Sequence, residues 1–179
     1  MAKRYFELQG LSHLALNCSD MARTVGFYEG LLGIPLVKTM DVPGGNGGQH
    51  FFFDVGHDEC LAFFYFPKMP KREVPVDEAL GGPTSPGLMN HVAFKVAPEK
   101  FDDYRRKLDE LGVKYLYIRH DLDGSYSSNP TDPVNDNSFA LTVYFHDPDH
   151  NVIEFCAWLP AYDRLGRDHK PAGKTATQP

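Results

Sequence analysis

Two stretches of the chain repeat one pattern of apolar and polar positions. Residues 11–36, LSHLALNCSDMARTVGFYEGLLGIPL, and residues 89–115, MNHVAFKVAPEKFDDYRRKLDELGVKY, each open with a short alternating run, the mark of a half-buried strand. Each then changes to helical spacing, through Met21, Val25, Tyr28 and Leu32 in the first and Phe101, Tyr104, Leu108 and Leu111 in the second. Start and stop signals bracket both helices. Ser19-Asp20 offers a side-chain cap to the first, and Pro98 a preorganised first position to the second. Gly33 and Gly112 stand where a left-handed residue ends a helix.

The stretches that follow also match. His50–Phe53 and Cys60–Phe66 read as strands around a turn at Gly56-His57-Asp58, while Leu141–Phe145 and Val152–Trp158 flank Asp147-Pro148-Asp149-His150-Asn151. The pattern predicts an α+β protein of two β-α-β-β-β modules. The first covers residues 8–67 and the second 88–160; a Pro- and Gly-rich linker at 68–87 joins them, and the polar tail at 161–179 reads as mobile or loosely docked. Placing Cys60-Leu61-Ala62-Phe63 against Val152-Ile153-Glu154-Phe155 leaves an excess in the second module at 121–138, DLDGSYSSNPTDPVNDNS. Its residues are loop-forming throughout, as in a functional rim or a surface insertion.

Composition narrows the class. A chain of 179 residues with 42% hydrophobic and 13% aromatic residues has enough to build a core. A formal net charge of −6 with scattered Lys and Arg leaves no footprint for nucleic acid. No apolar stretch approaches the ~20 residues needed to span a bilayer, so no membrane partner is expected. Cys18, Cys60 and Cys156 each lie in an apolar run without metal-type spacing, which fits buried thiols in a reducing compartment and a cytoplasmic location.

Glu154 interrupts the apolar strand Val152–Trp158, and a buried carboxylate must be neutralised, hydrogen-bonded, paired or bound to a metal. Candidate partners are His13 and His91, which open the two modules at equivalent points 78 positions apart. Each is followed two residues later by alanine, Ala15 or Ala93, so room is left on that face of the strand. If a pseudo-two-fold axis relates the modules, both imidazoles point toward Glu154. Two neutral nitrogens and one carboxylate suit Fe(II) or Mn(II) and leave coordination positions open. A short hairpin through DPDHN with a bulge at His150 places Tyr144 opposite Glu154 on the same face.

On these residues the chain resembles the vicinal oxygen chelate superfamily, which holds glyoxalases, bleomycin-resistance proteins, fosfomycin-resistance enzymes and type I extradiol dioxygenases. The resemblance spans about residues 8–160 and implies a cup-shaped mixed sheet of paired modules around a divalent metal held by His13, His91 and Glu154. The superfamily's fourth ligand slot falls on Ala62, unlike glyoxalase I, and the threonine of fosfomycin transferases is replaced by Ala15. Val143-Tyr144, Asp147-Pro148 and Glu154 match the extradiol signature. The signature's upstream histidine is replaced by Asn135-Asp136-Asn137, its turn glycine by His150, and the acid-base histidine by Glu59.

What the resemblance implies is Fe(II)-dependent, or Mn(II)-dependent, extradiol-type cleavage of a catecholic ring by O2, with Tyr144 orienting or protonating the intermediate. His57 is the candidate for the displaced acid-base group, with His50, His120 and His146 as substitutes. A small aromatic substrate is expected to meet Phe53, Phe63 and Phe94, with Phe51 and Tyr65 nearby. Superfamily members commonly form homodimers; because both modules are complete, the metal site is expected within one chain. The competing classes are a metal-dependent isomerase, epimerase or transferase that uses the ion as a Lewis acid, and a metal-free protein that sequesters its ligand.

Overall fold

The computed structural model describes residues 10–70 and 89–166. The start of the first module before residue 10, residues 71–88 (most of the 68–87 linker and the first residue of the second module) and the part of the 161–179 tail beyond 166 lie outside the described residues. In chain order the first module contains β1 (His13–Asn17), α1 (Met21–Val25), β2 (Leu36–Asp41), β3 (Gln49–Gly56) and β4 (Glu59–Tyr65). The second contains β5 (Val92–Lys95), α2 (Phe101–Glu110), β6 (Leu116–Asp121), the short β7 (Tyr126–Ser127), β8 (Ser138–His146) and β9 (Val152–Trp158). The two-module α+β plan is as the pattern predicts.

Each module makes its own mixed sheet, in the order β1-β4-β3-β2 and β5-β9-β8-β6-β7. The first strand of each runs parallel to the last, so β1 pairs with β4 and β5 with β9, while the remaining pairs are antiparallel. Among the described residues no strand pair joins the two sheets.

Both helices begin and end on the residues the sequence marks. The Asp20 side chain accepts from the Arg23 amide at 3.0 Å, capping α1, and Pro98 opens a single 3-10 turn ahead of α2. Gly33 and Gly112 adopt φ of +72° and +68°, which an L side chain resists. Beyond Val25 the first helix widens into a π-helical turn, Gly26–Leu31, that carries Tyr28. The Tyr28 ring is fully buried, 5.0 Å from that of Phe63 and 5.5 Å from that of Phe53.

One core runs through both modules, joining Tyr28, Phe53, Leu61 and Phe63 to Phe101, Leu108, Phe145 and Ile153. Fully burying each such side chain contributes about 1.5–3 kcal/mol. A polar clasp adds to it. Tyr28 Oη donates to Asp147 Oδ2 at 3.0 Å, in the turn between β8 and β9, and the same carboxylate accepts from the Asp149 amide and from the amide and side chain of Asn151. Burial pushes the Asp147 carboxyl up, against these hydrogen bonds. Asp149 accepts from Ser19 and Arg23 at the start of α1. Asp147 and Asp149 of the β8–β9 turn therefore fasten the modules together.

The excess at 121–138 is a self-bonded excursion. Arg119 pairs with Asp121 at 2.8 Å and also donates to the Pro133 carbonyl. Asp121 further accepts from Ser138 at 2.6 Å. Burial raises the Asp121 carboxyl, but the bonds from Arg119 and Ser138 prevail and hold it below the usual range. Ser127 and Asn129 both donate to Asp132.

Candidate metal centre

Strand alternation decides which side chains share a face. In the second sheet Ala93, Glu154, Tyr144 and Leu116 stand in one cross-strand row, and Lys95, Cys156, Thr142 and Ile118 in the next. His91 lies just ahead of β5 and turns onto this face, where its Nε2 stands 3.0 Å from Glu154 Oε2. Tyr144 is opposite Glu154 because His150 takes φ of +63° and lets the turn close, as the sequence requires. The Tyr144 ring meets that of His91 edge-on at 5.6 Å.

Glu154 is 5% exposed, and burial raises its carboxyl above the ordinary range despite the opposing effects of His91, Tyr144 and Cys156. Burial, followed by the neighbouring Glu154, pushes the Cys156 thiol up to about 12. Burial above all pushes the Tyr144 phenol up to about 12, so it is a hydrogen-bond donor at neutral pH. His91 Nδ1 faces Asn90 Oδ1 at 2.6 Å, which fixes Nδ1 as the protonated nitrogen of the neutral ring and aims the Nε2 lone pair at Glu154.

A lone pair and a carboxylate oxygen at this separation need a proton or a cation between them. At metal–ligand lengths of ~2.1 Å, two donors on adjacent octahedral positions stand about 3 Å apart, so the pair fits a divalent ion. The first module holds an equivalent of one half of this arrangement. His13 Nδ1 faces Ser12 Oγ at 2.9 Å, as His91 faces Asn90, and its ring meets that of Phe52 at 6.1 Å. In the slot equivalent to Glu154 stands Ala62, paired with Ala15 as Glu154 is with Ala93.

His13 does not join the other two. Among the described residues no three His, Cys, Asp or Glu side chains stand close enough to hold one ion, so the expectation of a site complete within one chain is corrected. The reason lies in the faces. Leu61, Phe63 and Phe53 in the first sheet, and Ile153, Val143 and Phe145 in the second, point into the shared core. His13 and Glu154 therefore stand on the outer faces of separate sheets.

The same alternation corrects the expected substrate contacts. Phe53 and Phe63 are fully buried against Tyr28, and Phe94 packs on the core beside Phe155, all facing away from the histidines. Aromatic residues on the outward faces include Phe52, Phe64 and His50 in the first sheet, and Tyr144, His120, His146 and Trp158 in the second. His50 stacks on Phe64 at 3.6 Å. The signal for them was present, since strand positions that share the parity of His91 and Ala93 exclude Phe94. His57 occupies the exposed turn between β3 and β4 with φ of +56°, in the module that lacks the carboxylate.

The sequence profile of the Glyoxalase/Bleomycin resistance protein/Dioxygenase superfamily matches residues 10–155. Among curated proteins, metallothiol transferase FosB of Lysinibacillus sphaericus is 25% identical over 83% of this chain and 82% of its own length. Fosfomycin resistance protein FosX of Mesorhizobium japonicum is 24% identical over 82% of this chain and 84% of its own. A solved FosX from Listeria monocytogenes, complexed with Mn(II), superposes with a TM-score of 0.52 at 19% identity, covering 89% of this chain and all of that one. The match across both modules carries the assignment, and the chain belongs to the Glyoxalase/Bleomycin resistance protein/Dioxygenase superfamily.

Proposed function

We propose that the chain is a homodimeric divalent-metal enzyme in which His91 and Glu154 of one copy and His13 of a second hold an Fe(II) or Mn(II) ion, and that its reaction is extradiol-type ring cleavage of a small aromatic diol by O2. The observation that carries this reading is the 3.0 Å approach of His91 Nε2 to a buried Glu154, with Tyr144 directly opposite. The dimer reading is supported by the outward faces: among the described residues His13 lacks a carboxylate neighbour, His91 and Glu154 lack a third donor, and each surface carries half-buried aromatic residues. Docking the first module of one copy over the second module of another supplies both deficits.

Three protein ligands leave open positions for the paired oxygens of a diol and for dioxygen. When bound, the ion supplies acidity to the chelating hydroxyls and an electron path between diol and oxygen. The chain's own groups do the rest. Asn90 and Ser12 orient the two imidazoles, and Tyr144, kept protonated by burial, donates a hydrogen bond to a substrate oxygen. The outward His50, Phe52, Phe64, His120 and Trp158 supply surface for a flat ring.

A second reading is favoured by the relatives. FosB is a metallothiol transferase and FosX a fosfomycin resistance protein, so nucleophilic addition to a metal-chelated substrate without oxygen is the alternative. Oxygen uptake separates the two. Anaerobic loading with Fe(II) or Mn(II), followed by air and a panel of catechols, is expected to consume O2; loss of fosfomycin on adding thiol or water, with no uptake, reverses the order. The two-chain centre has its own check. His13→Ala and Glu154→Ala are each expected to be inactive, while subunit exchange between them restores roughly one quarter of the sites. Absence of any recovery in a verified mixed dimer overturns the shared site.

A further inference from the structure

Besides Glu154, the outer face of the second sheet carries one fixed charge on its strands, Lys95. It stands on β5 in the row of Cys156, Thr142 and Ile118, next to the row of Ala93, Glu154 and Tyr144. Those two rows and the following one, from Trp158 to Tyr126, contain no other Lys or Arg and no other carboxylate. Four basic residues of the same module, Arg105, Arg106, Lys107 and Arg119, each pair with a carboxylate on α2 or at the root of the 121–138 excursion. Lys95 is exposed and has no such partner among the described residues, and Glu154 is turned to His91 instead. A cation without a counter-ion there stands one row from the candidate centre.

Two residues of strand rise and one interstrand spacing separate the α-carbons of Lys95 and Glu154, about 8 Å in all. The four-carbon stem of the lysine can close that gap. Ala93, between Lys95 and His91 on the same face of β5, puts only a methyl group in the way. The first module has no counterpart. Asn17 holds the place of Lys95 relative to His13, and Lys38 lies on the edge strand β2, at the opposite end of the row from Ala15.

We propose that Lys95 selects an aromatic diol that carries an acidic substituent, by pairing its ammonium with a carboxylate on the ring while the diol occupies the His91–Glu154 centre. The inference rests on the proposed diol substrate and names its class. A benzene ring with a carboxylate across from the diol spans about one side-chain step of a strand, roughly 7 Å, which is the offset between the Glu154 and Lys95 rows. Charge balance argues the same way. Two neutral imidazoles and one carboxylate leave a bound divalent ion with one net positive charge, which a singly ionised diol cancels. A ring carboxylate adds a charge that the centre does not balance, and Lys95 supplies the balance. Edge strands also carry lysine to deter pairing with other strands, but that role is blind to the charge of a ligand.

The test is anaerobic titration calorimetry of the Mn(II)-loaded full-length protein with 3,4-dihydroxybenzoate, its neutral counterpart 3,4-dihydroxybenzamide, and catechol. Wild-type protein is expected to bind the benzoate about tenfold more tightly than the benzamide, with the margin narrowing as salt is raised. Lys95→Gln is expected to bring the two within about twofold by weakening the benzoate alone, with Mn(II) content and melting temperature unchanged. Lys95→Arg is expected to keep most of the margin, and Lys100→Gln, in the turn ahead of α2, to keep all of it. Equal binding of benzoate and benzamide by wild-type protein, a margin that survives in Lys95→Gln, or its loss in Lys100→Gln overturns the assignment; binding of catechol then leaves the diol reading standing. Failure of wild-type protein to bind any of these ligands removes the diol reading, and this assignment with it.

Discussion

The two modules share strand order, helix placement and an opening histidine whose Nδ1 faces the polar side chain before it, Ser12 in one and Asn90 in the other. Apart from the 121–138 excursion with its short β7 and the π-helical turn at Gly26–Leu31, they part at the candidate site in one position of the last strand. The second module places Glu154 within 3.0 Å of its histidine, and the first places Ala62, fully buried, in the equivalent row. One module is thus a two-donor half-site and the other a one-donor half-site. At the candidate site the duplicated scaffold is asymmetric in one side chain, and in the proposed two-chain centre that asymmetry would set how many positions on the ion stay open to substrate.

The comparison is broken most severely by making the modules alike. Ala62→Glu adds a fourth ligand beside His13, so metal content by elemental analysis is expected to hold or rise while turnover falls by at least about a hundredfold; undiminished turnover removes Ala62 from the coordination argument. Filling a closed position also costs about 1–3 kcal/mol of stability. Next in size is the joint between the modules. Asp147→Ala strands the Tyr28 hydroxyl and the Asn151 donors, for an expected loss of about 3 kcal/mol in denaturant unfolding. A loss no larger than that of an exposed surface carboxylate contradicts the clasp.

The smallest effect carries an unusual sign. The metal-free protein must bury Glu154 with its carboxyl raised above the ordinary value. Between those two values the folded state binds more protons than the unfolded one, so stability is lost as pH rises through the raised value. Glu154→Gln is therefore expected to stabilise the metal-free protein by about 1 kcal/mol at pH 8, with the gain shrinking toward pH 5. Adding Mn(II) is expected to reverse the order, because the ion stabilises only the protein that binds it. A thermal melt of both proteins, with and without metal, reads both signs.

The local parts of this picture were legible in the sequence, because period two, helix caps and turn residues act over a few positions. Tyr144 opposite Glu154 follows from the length of the DPDHN turn, and the left-handed His150 from the place of a glycine in the related signature. Gly33 and Gly112 likewise mark real helix ends. The strands at Leu36–Asp41 and Leu116–Asp121 gave weaker signals, since their outward positions are exposed or mixed and dilute the alternation. The facing of Phe53, Phe63 and Phe94 was misread by composition, although parity with the histidines excludes Phe94 from the site face. The docking of the two sheets was not legible. It depends on how Tyr28 and its neighbours fill the space between them, a long-range packing result that no local pattern encodes.

The hairpin joining the Tyr144 and Glu154 strands is held from outside its own module, by Ser19, Arg23 and Tyr28. Half of the proposed metal-binding apparatus is consequently not portable. A fragment that begins at Met89 retains His91, Tyr144 and Glu154 but leaves Asp149 without its Ser19 and Arg23 donors and Asp147 without the tyrosine that secures it. Grafting the second module onto another scaffold would require carrying the first helix along as a brace.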